Sequence, residues 1–368
     1  MQFIFTILWL IFLTISGIQV VFWMLFYFAF RKISSTNIRK NKELPPVSVV
    51  IVFKNSKSTL NQTVKRVLEQ SYPTFEVILM DDFSTDGSVS TIENIKNEKI
   101  KIFKASQDQP GKKSALSEAI GLANYPIVFL TDADCLPASD QWIHHMASTL
   151  CSDDKTEIVL GYSPMTKTPG LLNAFSRYET LLTAVQYFAY AFYKIPYMGV
   201  GRNLMYRKDV FIKHKGFDKH ASLPGGDDDL FIQSAATLEN VNYCLHPASF
   251  VFTEAKATLH DYCLQKLRHI TTSVRYRWYH KLLLSVFGMS QLAWLPISII
   301  LILFSPSYAI YLCIVLLVKW ILLLVLSKKT TEILDGKDLH FKWPLWDTLM
   351  SIYLICLTIR APFYSKRW

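Results

Sequence analysis

Residues 126–134 read Pro-Ile-Val-Phe-Leu-Thr-Asp-Ala-Asp, a short apolar run followed at once by two carboxylates. The run is typical of a buried strand. Similar apolar, β-branched runs precede it at 47–53, 75–80 and 99–104. Helical, polar-faced segments separate these runs, and that alternation predicts an α/β domain with a mostly parallel sheet over residues 45–260.

Long apolar segments flank this domain on both sides. Residues 1–31 predict an N-terminal membrane helix, since the run before Arg31 has no charged side chain and would span roughly 42 Å, more than the bilayer core. Residues 282–327 predict a membrane hairpin with a turn at Ser305–Pro306. The last stretch, 345–363, contains Asp347 and Arg360 and predicts a helix that spans the membrane or lies at its interface.

The charge distribution indicates a membrane partner. The chain is 51% hydrophobic with a formal net charge of +10, and Arg31 and Lys32 place their side of the first helix in the cytoplasm. We expect an integral membrane protein of a bacterial-type inner membrane or plasma membrane, with a cytoplasmic domain. The basic segment 261–281 predicts an amphipathic helix on membrane lipid. No zinc-ligand spacing or basic-aromatic motif indicates a nucleic-acid partner.

Two acidic motifs follow predicted strand ends, where open α/β sheets bind ligands. Asp81 and Asp82 either cap a strand-to-helix loop or accept hydrogen bonds from a nucleotide base or ribose. Asp132 and Asp134 are two residues apart, so on a strand they would share a face. They form either a solvated turn or a site for Mg²⁺ or Mn²⁺.

Three further motifs carry charge. Gly111-Lys112 opens a predicted helix, where a lysine favours an anionic ligand. Asp227 and Asp228 belong to a run of three carboxylates, one of which could serve as a general base instead of remaining solvated. Gln265 and Arg268 are three residues apart and would share a helical face.

In this order, the five motifs resemble membrane-bound family 2 glycosyltransferases, the class that includes cellulose, chitin and hyaluronan synthases. The resemblance implies a GT-A-like nucleotide-binding domain flanked by transmembrane helices. It also implies inverting, metal-dependent transfer of a sugar from a nucleotide diphosphate donor, expected to be a UDP-sugar. The acceptor would be a hydroxyl of a lipid-linked or glycan molecule at the cytoplasmic membrane face.

The resemblance also assigns roles to individual residues. Asp132 and Asp134 would bind the metal. The donor side would comprise Lys54, Asn55, Asp81, Asp82, Lys112, Asp132, Gln265 and Arg268. The acceptor side would comprise Gly201, Asn203 and His269. The catalytic base is Asp227 if the motif is aligned on Leu230, and Asp228 if Gly-Asp-Asp is aligned literally.

Other functions stay open on the sequence. In processive synthases a tryptophan follows the arginine of the Q-x-x-R-W motif, and His269 replaces it here. This departure weakens the interpretation as a processive polysaccharide synthase. A metal-dependent nucleotidyltransferase would also use paired carboxylates, but it would leave Gln265 and Arg268 without a role. A transporter would need more charge within the apolar segments than they contain.

Overall fold

A computed structural model of the chain describes residues 2–33, 44–106, 111–221, 223, 225–304, 306 and 309–361, without the side chains of 2 and 269–271. Ser305 of the predicted turn and the last two residues of the segment predicted at 345–363 lie outside the described residues. The chain forms two units, each compact. The first unit comprises Met1–Lys32, Pro169–Val185 and Ala257–Trp368, and the second comprises Ile33–Thr168 and Gln186–Lys256.

The second unit is built on a seven-stranded sheet and a separate two-stranded one. The nine strands are β1 (Val47–Phe53), β2 (Phe75–Asp81), β3 (Ile100–Lys104), β4 (Ile127–Leu130), β5 (Cys135–Pro137), β6 (Ile158–Leu160), β7 (Leu204–Arg207), β8 (Val241–Tyr243) and β9 (Val251–Thr253). The large sheet has the order β3-β2-β1-β4-β7-β6-β8, and β5 pairs with β9. The first four strands of that order are mutually parallel, and β7 is antiparallel to both neighbours. The predicted α/β class with a mostly parallel sheet is confirmed.

Helices connect these strands. They are α2 (Leu60–Leu68), α3 (Ser88–Glu93), α4 (Lys112–Leu122), α5 (Trp142–Leu150), α6 (Leu171–Phe192), α7 (Lys208–Lys213) and α8 (Asp229–Ala235). Residues 171–185 of α6 belong to the first unit and 186–192 to the second. All seven residues of β1 are buried, as expected for a central strand covered on both faces. Leu60, Val64 and Val67 recur on one face of α2 and pack against the core that contains β1.

The register of the parallel strands aligns their carboxyl ends. Phe53 of β1 lies opposite Asp81 of β2, and Val50 of β1 lies opposite Leu130 of β4. The segments that leave these three strands therefore emerge at one edge of the sheet. The predicted acidic motifs all lie at this edge.

The first unit is helical. Besides the first part of α6 it contains α1 (Gln2–Lys32), α9 (Leu259–Ser273), α10 (Trp278–Phe304), α11 (Ala309–Ile333) and α12 (Trp343–Arg360). Within the described part of the chain, α1, α10 and α11 are long and apolar enough to cross a membrane. The basic segment predicted as one interfacial helix at 261–281 is divided between α9 and the start of α10.

A buried ion pair joins two helices of this unit. The ammonium of Lys319 on α11 lies 2.9 Å from the carboxylate of Asp347 on α12, and the two side chains are 9% and 1% exposed. Gln291 on α10 donates to the other oxygen of Asp347 at 3.2 Å. The same ammonium stands 4.0 Å from the ring centre of Trp294. Both buried charges therefore have partners, which the apolar side chains around them would not provide.

We expect loss of one partner of this pair to cost more than loss of both. Asp347→Leu leaves a buried ammonium unpaired, which typically costs roughly 3–5 kcal/mol, whereas Lys319→Leu combined with Asp347→Leu leaves no charge. Thermal unfolding in detergent should rank the double variant close to the parent and the single variant well below it. Val318→Leu, on an exposed position of α11, is the control. A double variant as unstable as Asp347→Leu would contradict this account.

Candidate active site

The loops that follow β1 and β2 are joined by Asp82. Its backbone N–H donates to the carbonyl of Phe53 at 2.9 Å. Its carboxylate is buried, accepts the N–H of Gly111 at 3.2 Å, and lies 4.0 Å from the ammonium of Lys54. Asp82 therefore connects the end of β1 with the residue that precedes α4.

Asp81 and Asn55 hold these loops in shape. Asp81 accepts the N–H of Ser84 at 2.9 Å, and Asn55 accepts the N–H of Thr85 at 2.8 Å. Asn55 has a φ of 50°, a left-handed conformation that asparagine tolerates better than most residues. Lys54, Asn55, Asp81 and Asp82, four of the residues predicted on the donor side, therefore lie together at one sheet edge.

Lys112 is the first residue of α4 and pairs with two carboxylates from distant parts of the chain. Its Nζ lies 3.0 Å from Asp132 and 3.0 Å from Asp227. Burial acts to lower the pKa of Lys112, but the two carboxylates outweigh it and hold that pKa well above its ordinary value. The Gly-Lys motif, the D-x-D motif and the acidic run thus meet at one ammonium group.

Asp132 and Asp134 follow β4 but do not lie on it. Because β4 ends at Leu130, the alternation of side chains along a strand does not explain how they converge. A turn at residues 133–134 brings them together, and a carboxylate oxygen from each and the Sγ of Cys135 all lie within 4.8 Å of one another. Two converging carboxylates suit a hard divalent ion such as Mg²⁺ or Mn²⁺.

Cys135 is a neighbour of this pair that the motif analysis passed over, although it directly follows the second aspartate. It is fully buried, and burial together with the two carboxylates raises the pKa of its thiol well above the ordinary value. A protonated thiol is a poor ligand for a hard ion. The donor set therefore fits an oxygen-coordinated metal held by Asp132 and Asp134.

Asp227 and Asp228 have different surroundings. Asp228 caps α8, since one oxygen accepts the N–H of Asp229 at 2.8 Å and the other accepts the N–H of Gly201 at 2.9 Å. Burial and the neighbouring carboxylates raise the pKa of Asp228 to about 7. Burial also acts on Asp227, but Lys112 outweighs it and holds the pKa of Asp227 below its ordinary value. At neutral pH, Asp227 is therefore ionised, whereas Asp228 is close to the midpoint of its titration.

Gly201 and Asn203, both predicted on the acceptor side, have different surroundings. A Cβ on Gly201 would come within 3.6 Å of Asp227 and 3.5 Å of Asp228, so this glycine lies against both acidic side chains. Asn203 is fully buried, and its amide donates to the carbonyls of Tyr162 and Ser249 at 2.7 and 2.9 Å.

The oxygen of the Asn203 amide is also occupied, because it accepts the indole N–H of Trp142 at 3.0 Å. Its position is tightly enclosed, since a Cβ on Gly161 would meet the Asn203 side chain at 2.3 Å. In this conformation neither amide hydrogen of Asn203 is left for an acceptor. It holds the segment that contains Gly201 to the core.

Gln265 and Arg268 lie on α9, in the first unit, three residues apart on one helical face as predicted. The backbone of His269 continues α9, but its side chain lies outside the described residues. The acidic site residues described above belong to the second unit. The donor role of Gln265 and Arg268 and the acceptor role of His269 remain predictions.

A model of the family described as "Glycosyl transferase family 2" matches residues 48–214. The chain contains a family 2 glycosyltransferase domain. The predicted resemblance is thereby confirmed for a range that includes Lys54, Lys112 and Asp132 and ends before Asp227.

Two curated relatives of this glycosyltransferase domain are bacterial. The probable glycosyltransferase YdaM of Bacillus subtilis is 28% identical over 191 residues, which cover 49% of this chain and 44% of that protein. The poly-beta-1,6-N-acetyl-D-glucosamine synthase of Staphylococcus aureus is 30% identical over 119 residues, covering 32% of this chain and 29% of that protein. The chain thus spans less than half the length of either relative.

A solved structure agrees with this chain over nearly its whole length. The mannosyltransferase PcManGT from Pyrobaculum calidifontis, in complex with GDP-Man and Mn²⁺, has a TM-score of 0.60 with 17% sequence identity. The match covers 98% of this chain and 100% of that one. At this identity the likeness concerns the fold alone, and it confirms the predicted GT-A-like fold.

The raised pKa of Asp228 predicts a pH dependence of stability in the absence of metal. An unfolded aspartate titrates near pH 4, whereas the pKa of folded Asp228 is about 7. The folded protein therefore binds more protons between these values, and this contribution to the free energy of unfolding is lost as the pH rises through them. We expect Asp228→Asn, which cannot titrate, to lose less thermal stability than the parent between about pH 5 and pH 8 in EDTA.

Two comparisons isolate this effect. The pKa of Asp227 is lowered, so its stabilising contribution disappears only in more acidic solution, outside the measured range. Glu239→Gln removes an exposed carboxylate that pairs with Lys155 and should keep the pH slope of the parent. A slope for Asp228→Asn equal to that of the parent would refute the assignment.

Proposed function

We propose that the protein transfers a sugar from a nucleotide diphosphate donor, in the first place a UDP-sugar, to a hydroxyl acceptor in one inverting displacement. One observation carries the proposal: the ammonium of Lys112 pairs at 3.0 Å with both Asp132 and Asp227. The residues expected at the diphosphate and the residue expected at the acceptor hydroxyl therefore belong to one cluster.

The donor would lie at the sheet edge. Lys54, Asn55, Asp81 and Asp82 would contact the base and ribose, and Lys112 would contact the diphosphate. Asp132 and Asp134 would hold Mg²⁺ or Mn²⁺, and PcManGT, which has this fold, was solved with Mn²⁺ and GDP-Man. When bound, such an ion supplies positive charge that stabilises the departing diphosphate. We also propose a donor-side role for Gln265 and Arg268.

Asp227 is the residue that we assign as the catalytic base. It is ionised at neutral pH because Lys112 lowers its pKa, so it can accept a proton from the acceptor hydroxyl. Both oxygens of Asp228 instead accept backbone N–H groups, which suits a residue that holds α8 and Gly201 in place. Asp228 would thus support the base without replacing it.

The acceptor would approach past Gly201, which lies against both carboxylates, with Asn203 holding that segment. We also propose an acceptor-side role for His269. A lipid-linked or glycan acceptor suits a protein whose described part contains three helices able to cross a membrane. We place the catalytic domain on the cytoplasmic face of a bacterial-type inner membrane or plasma membrane, because Arg31 and Lys32 end the first such helix.

Polymer synthesis is a second candidate, because one relative is a poly-beta-1,6-N-acetyl-D-glucosamine synthase. A processive enzyme would add many sugars to one acceptor before it releases the product. The replacement of the motif tryptophan by His269 favours single transfer. Mass spectrometry of lipid and glycan products distinguishes the two candidates. The family match favours both over nucleotidyl transfer.

We expect the purified full-length protein to release UDP or GDP from one member of a panel of nucleotide sugars, with Mn²⁺ or Mg²⁺ required. Asp227→Asn should lower turnover at least roughly 100-fold, the usual contribution of a general base. Asp134→Asn should raise the metal concentration needed for half-maximal rate, because one of two carboxylate ligands is lost.

Glu239→Gln, which breaks an exposed ion pair, is the matched control and should behave like the parent. If no nucleotide sugar is turned over, the proposed function is wrong. If Asp227→Asn keeps full activity while Asp228→Asn loses it, the base has been assigned to the wrong residue.

A further inference from the structure

Helix α9 carries Gln265 and Arg268, and a buried ion pair fixes it within the first unit. Lys266 of α9 pairs with Glu179 of α6, and their side chains are only 12% and 15% exposed. By contrast, the partners of the Lys155–Glu239 pair are 63% and 66% exposed. Water screens a buried pair far less than an exposed one, so Glu179 restrains α9 much more strongly than a surface charge would.

An aromatic cluster surrounds this pair. The ammonium of Lys266 lies 5.4 Å from the ring centre of Tyr262, one turn earlier on α9. The Tyr262 ring in turn contacts Phe175 of α6 at 6.3 Å and Tyr353 of α12 at 5.9 Å. Tyr262 is fully buried. The Lys266 face of α9 is therefore packed against two other helices.

The Gln265 face of α9 points in another direction. Tyr262 and Lys266 are four residues apart and share one face, and Gln265 and Arg268 are three apart and share another. At about 100° per residue, the centres of these two faces are about 110° apart around the helix axis. A rotation of α9 that followed loss of the Glu179 contact would therefore redirect Arg268.

Glu179 is itself held in place. Two residues before it on α6, Arg177 forms a bidentate pair with Asp338 at 2.7 and 2.8 Å. Residues two apart on a helix lie about 200° apart around the axis, so α6 is fixed on one side by Asp338 and reaches Lys266 from the other. The start of α9 is fixed separately, because Thr258 caps it and bonds Asp261.

We propose that Glu179 is a positioning residue for sugar transfer: through Lys266 it sets the rotation of α9, and thereby the direction of Arg268. This inference rests on the proposed function, in which Arg268 has a donor-side role. Glu179 itself touches neither donor nor acceptor in this scheme. Its effect on the reaction should therefore disappear when Arg268 is absent.

A double-mutant cycle tests this dependence. The full-length protein is assayed for UDP release from UDP-N-acetylglucosamine, or for GDP release from GDP-mannose, with Mn²⁺. We expect Glu179→Gln to lower kcat/KM roughly 10- to 100-fold, the scale of a small misplacement of a charged group. In an Arg268→Ala background the same change should cost less than about twofold, because residues that act through one another are not additive.

Further variants separate positioning from loss of fold. Glu179→Gln combined with Lys266→Gln leaves no buried charge unpaired, so it should keep the thermal stability of the parent while showing the same kinetic loss. Glu179→Lys combined with Lys266→Glu restores the pair in reverse and should recover most of the activity. Glu239→Gln, at the exposed pair, should change nothing.

The outcomes are distinguishable. Two results would overturn the positioning role and leave the proposed function intact. One is an equal loss of kcat/KM from Glu179→Gln with and without Arg268. The other is full activity of the variant that combines Glu179→Gln with Lys266→Gln. Failure of the parent to release UDP or GDP from any nucleotide sugar of the panel would overturn both. The expected pattern is a large loss in the parent background, a small one without Arg268, and recovery on charge reversal.

Discussion

β1 lies between β2 and β4 and runs parallel to both, with Phe53 opposite Asp81 and Val50 opposite Leu130. Because parallel strands end at the same edge of a sheet, this register brings together loops that are far apart in the chain. Asp82 strengthens the arrangement by bonding both Phe53 and Gly111. Every other feature of the candidate site depends on this alignment, including the place where α4 begins.

The charged side chains at that edge partly neutralise one another. Asp132, Asp227 and Asp228 would repel one another, and Lys112 neutralises part of that repulsion by pairing with the first two. The unequal surroundings of Asp227 and Asp228 move their pKa values in opposite directions. Two neighbouring carboxylates with separated pKa values can carry separate tasks, one as a proton acceptor and one as a structural cap.

In the first unit, buried ion pairs connect helices. Among its described residues, Lys266 pairs with Glu179 and Lys319 pairs with Asp347, each pair joining two helices. Apolar packing alone specifies helix rotation weakly, whereas an ion pair in low-dielectric surroundings has a defined direction and few alternative partners. Such pairs set the rotation of helices whose surfaces are otherwise dominated by aliphatic and aromatic side chains.

The sequence by itself determined the first four strands, the apolar helices and the motifs at strand ends, because periodicity and turn composition are local properties. The boundaries of β1 were predicted to the residue. Only the tertiary structure decided that a turn makes Asp132 and Asp134 converge, that Asn203 is enclosed, and that Asp227 faces Lys112 while Asp228 caps α8. These outcomes depend on distances between segments remote in sequence, and packing and electrostatics set those distances.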